Sequence, residues 1–450
     1  MKKHAGNMSR REFITKSSVS AAALGAFTVA GPLSAAVPPE VKKTRVALVG
    51  TGSRGTSTWG ESLVRGYGDS LEMVGLCDIN SKRVDYARSR IGSHIPTFTD
   101  FDQMIRSTRP DAVIVTTVDA YHAKYVTRAM ELGCDAVSEK PLCTDAEQAQ
   151  SIIDTCKRTG RKLNVTFNAR YGQSSMKAKE LLMAGEIGEI YSADYAEFLD
   201  LDHGASYFRR WHGLKQCSGT LLCHKASHHF DQLNWWLDAE PVEVMAYGDL
   251  KKYGYNGPFR HFNCRLCVHK KECDLYWDIT KNKRFMELYV HCESEDGYYR
   301  DACLYRNAIN IYDTMSVQVK YSSGALVTYS LNATAATEGQ YIVFHGSKGR
   351  LELHNYDRQS WNVAPRTNIR LWRNFEGATV VPLETRRVRG GHGGSDTLVK
   401  DMLFKTGTSD ELGQRAGMRD GIMSSIIGIA AYTSIERKKP VKIADLISFA

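Results

Sequence analysis

Arg45-Val-Ala-Leu-Val-Gly50-Thr-Gly52-Ser-Arg-Gly55 decides the fold, because an apolar strand running straight into G-x-G-x-x-G is built to hold a dinucleotide pyrophosphate. Gly50 allows the tight turn, Gly52 lets backbone approach the pyrophosphate, and Gly55 lets the following helix pack on the strand. The anion then sits on the helix N-terminus, where unpaired N–H groups and the dipole favour negative charge, so Ser53 and Arg54 join the glycines as candidate cofactor-binding residues. A second apolar run, Leu71-Glu-Met-Val-Gly-Leu-Cys77, ends in Asp78, near the spacing of an acid on the adenosine ribose. A carboxylate there accepts from a free 2′-hydroxyl and repels a 2′-phosphate, which favours NAD, while Lys82 and Arg83 close behind keep NADP as the alternative. The bland alternative is a glycine turn in another doubly wound protein, with Asp78 capping a helix.

Around this motif, residues 45–49, 71–77, 111–117, 135–139 and 162–167 read as strands alternating with helices. Near-continuous apolar runs such as Ala112-Val-Ile-Val115 are what a parallel sheet covered on both faces requires. A helix over 121–132 stops at Gly133, and Thr144-Asp-Ala-Glu147 reads as a capping box opening a helix towards Gly160. Past Gly172 the pattern changes to alternating strands at 191–198 and 242–247, then hairpins at 315–330 and 340–354 with glycine turns. The predicted architecture is α/β: a Rossmann domain with a parallel sheet at 44–168, then an α+β domain at 169–450 with an open, mainly antiparallel sheet. One face of that sheet takes helices and the other is free for a partner subunit, so a homo-oligomer is expected.

A chain of 450 residues exceeds what one core usually holds, and 42% hydrophobic with 24% charged residues is ordinary for a folded protein in water. Ser9-Arg10-Arg11-Glu12-Phe13-Ile14-Thr15-Lys16 precedes an uncharged stretch over 17–30, and Ser34-Ala35-Ala36 offers a cleavage site. Residues 1–36 therefore look like a twin-arginine signal, which predicts export to the periplasm. An uncleaved anchor is the alternative reading of that stretch, and no later segment is apolar and long enough to span a bilayer. The net charge of +9 falls to +5 without residues 1–36, and no predicted face interleaves basic and aromatic residues, so a nucleic-acid partner is not expected.

Glu139-Lys140-Pro141 closes the strand that begins at Asp135. A strand's carboxyl end beside the cofactor crevice is where such a sheet places reactive groups, and a lysine there can donate to a carbinol or carbonyl oxygen while hydride moves. Together, G-x-G-x-x-G at Gly50, the Thr116…His122 loop, Glu139-Lys140-Pro141, Phe167-Asn168-Ala169-Arg170-Tyr171, Gly185-Glu-Ile-Gly188 and Ser434…Lys439-Pro440-Val441 resemble the Gfo/Idh/MocA oxidoreductases over residues 44–445. The resemblance implies a Rossmann domain followed by an open-sheet domain, with Lys140 placing nicotinamide and substrate. It also puts Thr117, His122 and Glu139 at the cofactor and Arg170 at the substrate.

That family usually carries G-G-x-L-x-D-x-x-x-H-x-x-D; here the stretch is Ser218-Gly-Thr-Leu-Leu-Cys-His224-Lys225-Ala-Ser-His228-His229-Phe-Asp231. The resemblance assigns the general base to His228 and the last acid to Asp231, while the first acid is replaced by His224. Four residues apart on one helix, His224 and His228 would share a face with Lys225 nearby, a polar cluster able to grip sugar hydroxyls and shuttle a proton. The same spacing is half a zinc site. His229 should face away as a core residue.

Two further segments carry chemistry. Gly390-Gly-His392-Gly-Gly-Ser-Asp396 allows close backbone approach to a ligand and resembles an H-G-G-x-D segment of NAD-dependent glycosidases, which makes His392 a substrate candidate; a flexible loop is the alternative. Cys264, Cys267, Cys273 and Cys303 lie in an insertion over 255–305 at spacings that can close a structural zinc site, with His269 or His291 as substitutes and disulfides as the competitor. The expected function is an NAD(P)-dependent oxidoreductase acting on a sugar or sugar derivative with a retained cofactor. A redox-neutral NAD-dependent glycosidase and a non-catalytic sugar or nucleotide sensor are the alternatives.

Overall fold

In the computed structural model, which describes residues 43–358, 367–383 and 390–450, Val46 to Val49 are fully buried at the centre of a parallel sheet. The twin-arginine segment lies outside the described residues. The strands β1 (Thr44–Val49), β2 (Leu71–Cys77), β3 (Thr97–Phe98), β4 (Ala112–Val115), β5 (Asp135–Ser138) and β6 (Leu163–Val165) run parallel in the order β6-β5-β4-β1-β2-β3. The winding reverses between β1 and β4, so the loops after these two strands frame the crevice where such sheets bind ligands. Gly50 turns the first loop with φ +89, and Gly55–Glu61 follows as a π-helical stretch before the helix Ser62–Tyr67.

The second sheet is built from β7 (Ile190–Asp200), β8 (Pro241–Asp249), β9 (Thr314–Tyr321), β10 (Leu326–Ala335), β11 (Glu338–Gly346), β12 (Gly349–Arg358), β13 (Thr367–Arg373) and β14 (Ala378–Val381). After β15 (Ala416–Gly417), the short strand β16 (Val441–Lys442) completes it, in the order β14-β13-β12-β11-β7-β10-β9-β8-β16. Among the described residues of this sheet only β7 and β10 pair in parallel; the other pairs are antiparallel. β9 and β10 alternate strictly: Met315, Val317, Val319, Tyr321, Val327, Tyr329 and Leu331 are buried, while Thr314, Ser316, Gln318 and Lys320 face water. The buried row meets the helix Ser227–Leu237, where Tyr329 and Tyr321 bond His229 and Asn234, and the helix Met418–Arg437 lies beside it against β8.

Two local expectations change. The helix Ala146–Thr159 is capped by Asp145, whose carboxylate accepts from Gln148 N–H at 2.8 Å, while Thr144 bonds the Gln148 side chain instead. The chain also returns to the first sheet after finishing most of the second. Val399 and Met402 of the helix Ser395–Phe404 pack with Val46, Leu48 and Trp59, and β15 pairs antiparallel with β6. The nucleotide-binding half thus includes residues 395–417, which no local periodicity announces.

The helix Met418–Arg437 crosses the turn at Leu222 so closely that a Cβ on Gly428 would stand 2.3 Å from the Leu222 carbonyl oxygen. G428A should therefore destabilise the protein by about 1–3 kcal/mol through overpacking. Thermal unfolding would report a melting temperature lower by several degrees, and an unchanged value would refute this close packing.

Candidate active site

The Gly50–Gly55 loop has an enclosed side and an open side. A Cβ on Gly50 would fall 2.6 Å from Thr117 N and one on Gly55 2.0 Å from Gly50 O, whereas at Gly52 the nearest atom is the Tyr289 hydroxyl at 3.6 Å. The more open side at Gly52 is where a pyrophosphate would approach the loop's backbone.

Asp78 departs from its expected task. One carboxylate oxygen accepts from Thr51 N–H at 2.7 Å and Thr51 Oγ1 at 3.0 Å, the other from Asn80 N–H at 3.0 Å and Arg83 at 3.1 Å. A carboxylate offers about four lone-pair sites. All are taken, so Asp78 braces the glycine loop and has none left for a ribose hydroxyl. Arg83 is also engaged, paired with Asp296 at 2.5 Å, while Lys82 donates to the neutral Ser294 hydroxyl at 2.8 Å.

These partners belong to the cysteine-containing insertion, which closes over the nucleotide loop. Ser53 N–H donates to the Tyr289 hydroxyl at 2.9 Å, Arg284 donates to Ser53 O at 3.2 Å, and the Asn80 amide donates to Cys292 O at 2.9 Å. Cys264, Cys267, Cys273 and Cys303 line a cavity of only ≈ 20 Å³ in the same insertion. All eleven cysteines are free thiols, and among the described residues no three Cys, His, Asp or Glu side chains meet in metal-ligating geometry, so zinc is not supported. His269, expected as a substitute ligand, stacks on Phe259 with 4.6 Å between ring centres, and His291 is exposed.

Four other expected site residues prove to be braces. Arg54 spans Glu139 at 2.6 Å and both oxygens of Asp396 at 2.8 and 2.9 Å, and Trp59 Nε1 also donates to Glu139 at 2.6 Å. Arg54 and Glu139 therefore have no free charge to offer a cofactor. His122 is 1% exposed, with Nδ1 2.7 Å from Pro141 O and Nε2 3.2 Å from Thr117 O, so it lies between the loops after β4 and β5; burial lowers its pKa against the pull of these two carbonyls. The Thr117 hydroxyl donates to Val118 O at 3.3 Å.

Arg170 and Asp231, expected at the substrate, spend themselves on each other. Their side chains are 2% and 0% exposed, joined by two bonds of 2.7 and 2.6 Å, with Asp420 also on Arg170 at 2.8 Å. Substrate cannot touch groups so deep. Lys225 is likewise paired, with Glu197 at 3.0 Å, and His229 bonds Tyr329 at 2.9 Å as a core residue.

What remains facing the crevice is Lys140 with an unexpected partner set. The single predicted helix is broken: Leu221–His224 is one short turn, Lys225 and Ala226 intervene, and Ser227–Leu237 begins afresh. His224 and His228 therefore belong to different surroundings. The Lys140 ammonium donates to His224 O at 2.7 Å, and burial lowers its pKa to about 8 against the pull of Asp119 and Glu139. His224 Nδ1 lies 2.6 Å from Asp119 Oδ2, and its ring packs edge-on against His212, Trp211 and Tyr207. Burial pushes the Asp119 carboxyl up and the His224 imidazole down; when Nδ1–H donates to the Asp119 carboxylate, Nε2 is the ring's free acceptor. His228 is half-buried beside Phe167, desolvation lowers its pKa, and its Nδ1 has no hydrogen-bond partner among the described residues. His392, half out in solvent, is held through Nδ1 by Asp396 at 2.9 Å.

Sequence reasoning missed Asp119, His212, Arg210 and Tyr289. For Asp119 a signal existed, since it sits in the loop at the carboxyl end of β4, at the switch point of the sheet. For Tyr289 there was none.

Comparison with known proteins agrees with this architecture. Residues 44–167 match the model of an oxidoreductase family's NAD-binding Rossmann fold, and residues 179–443 match that family's C-terminal alpha/beta domain. The chain is 32% identical to YteT of Bacillus subtilis over 424 residues, covering 89% of this chain and 98% of YteT. It is 23% identical over 419 residues to glycosyl hydrolase family 109 protein 1 of Shewanella sp. ANA-3, covering 89% and 84% of the two chains. Among solved structures, aldose-aldose oxidoreductase from Caulobacter crescentus superposes with a TM-score of 0.60 at 16% identity, covering 89% of this chain and 100% of that one; this likeness shows the fold.

Removing Arg170 leaves the Asp231 carboxylate buried and uncompensated. R170A should cost about 3–5 kcal/mol of stability, measured by denaturant unfolding. A loss below ~1 kcal/mol would mean that the pair is not the brace described.

Proposed function

Because the chain belongs to the Gfo/Idh/MocA oxidoreductase family, whose N-terminal domain is an NAD-binding Rossmann fold, we propose that it oxidises a carbinol carbon of a carbohydrate, using a dinucleotide kept bound through turnover. When bound, the nicotinamide supplies the hydride acceptor. The observation that carries this reading is the Lys140 ammonium set beside the Asp119–His224 pair at the mouth of the nucleotide crevice. Lys140 donates a hydrogen bond to the substrate oxygen as it becomes a carbonyl. His224 takes the hydroxyl proton at Nε2, because Asp119 occupies Nδ1 and selects the tautomer. This arrangement favours His224 as general base over His228, whose Nδ1 has no carboxylate to orient it.

Retention of the dinucleotide is supported by the insertion's hold on Ser53, Asn80, Lys82 and Arg83. NAD is favoured over NADP because Arg83 is paired with Asp296 and Glu295 adds negative charge beside it. Such retention suits an exported enzyme, as the N-terminal twin-arginine pattern suggests. Exposed Tyr247 and Leu326 on the open face of the second sheet support pairing of two copies through that face.

A second reading, a glycosidase with transient sugar oxidation, draws on one feature: His392 and Asp396 anchor a glycine loop onto Arg54 at the nucleotide crevice, and a family 109 glycosyl hydrolase is among the relatives. Its signature is aglycone release without net NADH.

Denaturing the purified protein and weighing the released cofactor should yield NAD(H); a protein that neither carries nor binds a dinucleotide refutes both readings. K140M and H224N should lower turnover by about 10²–10⁴-fold with cofactor content retained. The rate should fall as pH rises through about 8, where Lys140 loses the proton it donates. D296A, by freeing Arg83, should narrow the preference for NAD over NADP severalfold in equilibrium binding, and an unchanged ratio would remove Asp296 from that role.

A further inference from the structure

A cavity of ≈ 430 Å³ opens between the helix Leu201–Arg209 and the insertion, lined among others by Arg210, Arg300, Trp277 and Phe285. That volume lies within the range of small-ligand sites, about 300–1,000 Å³. The Arg300 guanidinium stacks 4.3 Å from the Phe285 ring centre and 4.5 Å from Tyr289, and its Nε is buried with no hydrogen-bond partner among the described residues. Arg210 donates through Nε to Ser206 O at 2.9 Å and lies 5.1 Å from the Tyr207 ring centre.

Among the described residues, neither arginine has a carboxylate within ion-pair distance, unlike Arg54, Arg83 and Arg170. Two carboxylates, Asp202 and Asp274, do line the cavity, but both residues are exposed and pair with neither guanidinium. Arg209, also lining it, donates to Leu275 O. Two guanidinium groups facing one cavity repel each other and have lost part of their hydration, a loss that an anion between them would offset. Guanidinium forks match carboxylate and phosphate oxygens with paired hydrogen bonds.

The cavity adjoins the proposed catalytic groups. Arg210 is followed directly by Trp211 and His212, whose rings pack on His224, and its charge acts on both His224 and Asp119. We propose that this cavity holds the anionic group of an acidic carbohydrate, a uronic acid carboxylate gripped by Arg210 and Arg300, so that the reacting hydroxyl comes to Lys140 and His224. The inference rests on the oxidoreductase reading above and names its substrate class. The dinucleotide pyrophosphate is the other source of such an anion, since Tyr289, under Arg300, touches Ser53; no residue of the Gly50–Gly55 loop lines the cavity, which favours the substrate.

The test is calorimetric titration of the holoprotein with D-glucuronate and D-galacturonate against D-glucose and D-galactose, alongside mass analysis of bound dinucleotide. At least one uronate should bind about tenfold or more tightly than its neutral counterpart, a difference of about 1.4 kcal/mol. R210Q and R300Q should each abolish that preference with dinucleotide content unchanged, and R300K, which keeps the charge, should restore part of it. Equal binding of acidic and neutral sugars, or binding of neither, overturns the inference while a bound dinucleotide leaves the oxidoreductase reading standing. Loss of dinucleotide in both arginine variants with the sugar preference intact also overturns it, and assigns the arginines to the pyrophosphate. A wild-type protein that neither carries nor binds a dinucleotide removes the oxidoreductase reading itself.

Discussion

The Arg54 guanidinium holds the site together. It bridges Glu139, at the end of β5, and Asp396, at the start of the returning helix, from within the glycine loop that follows β1. Burial favours the neutral acid at Asp396, but His392 and Arg54 hold its carboxyl well below the usual range. Asn168 donates to Asp396 at 2.8 Å as well, so four segments distant in sequence converge on one charge cluster. Such a cluster contributes less to net stability than to geometry, because desolvation offsets much of the attraction. Its effect is positional: with Glu139 pinned, Lys140 one residue further has a defined place at the crevice.

The second constraint is the carboxylate that orients the proposed base. On the broken segment over 221–231 the position where the sequence resemblance implies an acid is His224, and the acid comes instead from Asp119, across the crevice. A carboxylate–imidazole pair needs one hydrogen bond of good geometry and does not depend on which element supplies the carboxylate. The consequence is that the pair exists only when the two halves of the protein are docked.

The insertion over 255–305 serves a purpose its cysteines did not advertise. Its thiols stay apart from metal geometry, while its polar residues between Arg284 and Asp296 reach the nucleotide loop and the segment after β2. It also supplies Trp277, Phe285 and Arg300 to the cavity beside the proposed catalytic groups. One segment thereby walls both the glycine loop and the neighbouring cavity.

By itself the sequence determined the two-sheet architecture, the nucleotide loop and the place of Lys140, because each depends on local features: glycine positions, strand-length apolar runs and turns that propagate over a few residues. Only the tertiary structure decided which charged groups stay free for chemistry. Arg54, Asp78, Glu139, Arg170 and Asp231 looked reactive in isolation and are consumed by partners 2 to 342 residues away. Asp119 and Arg300 looked ordinary and are left facing the crevice and its neighbouring cavity. The reason is physical: a polar group's availability depends on which partners burial brings within about 3 Å, and for ion pairs formed across a fold no periodicity in the chain records that.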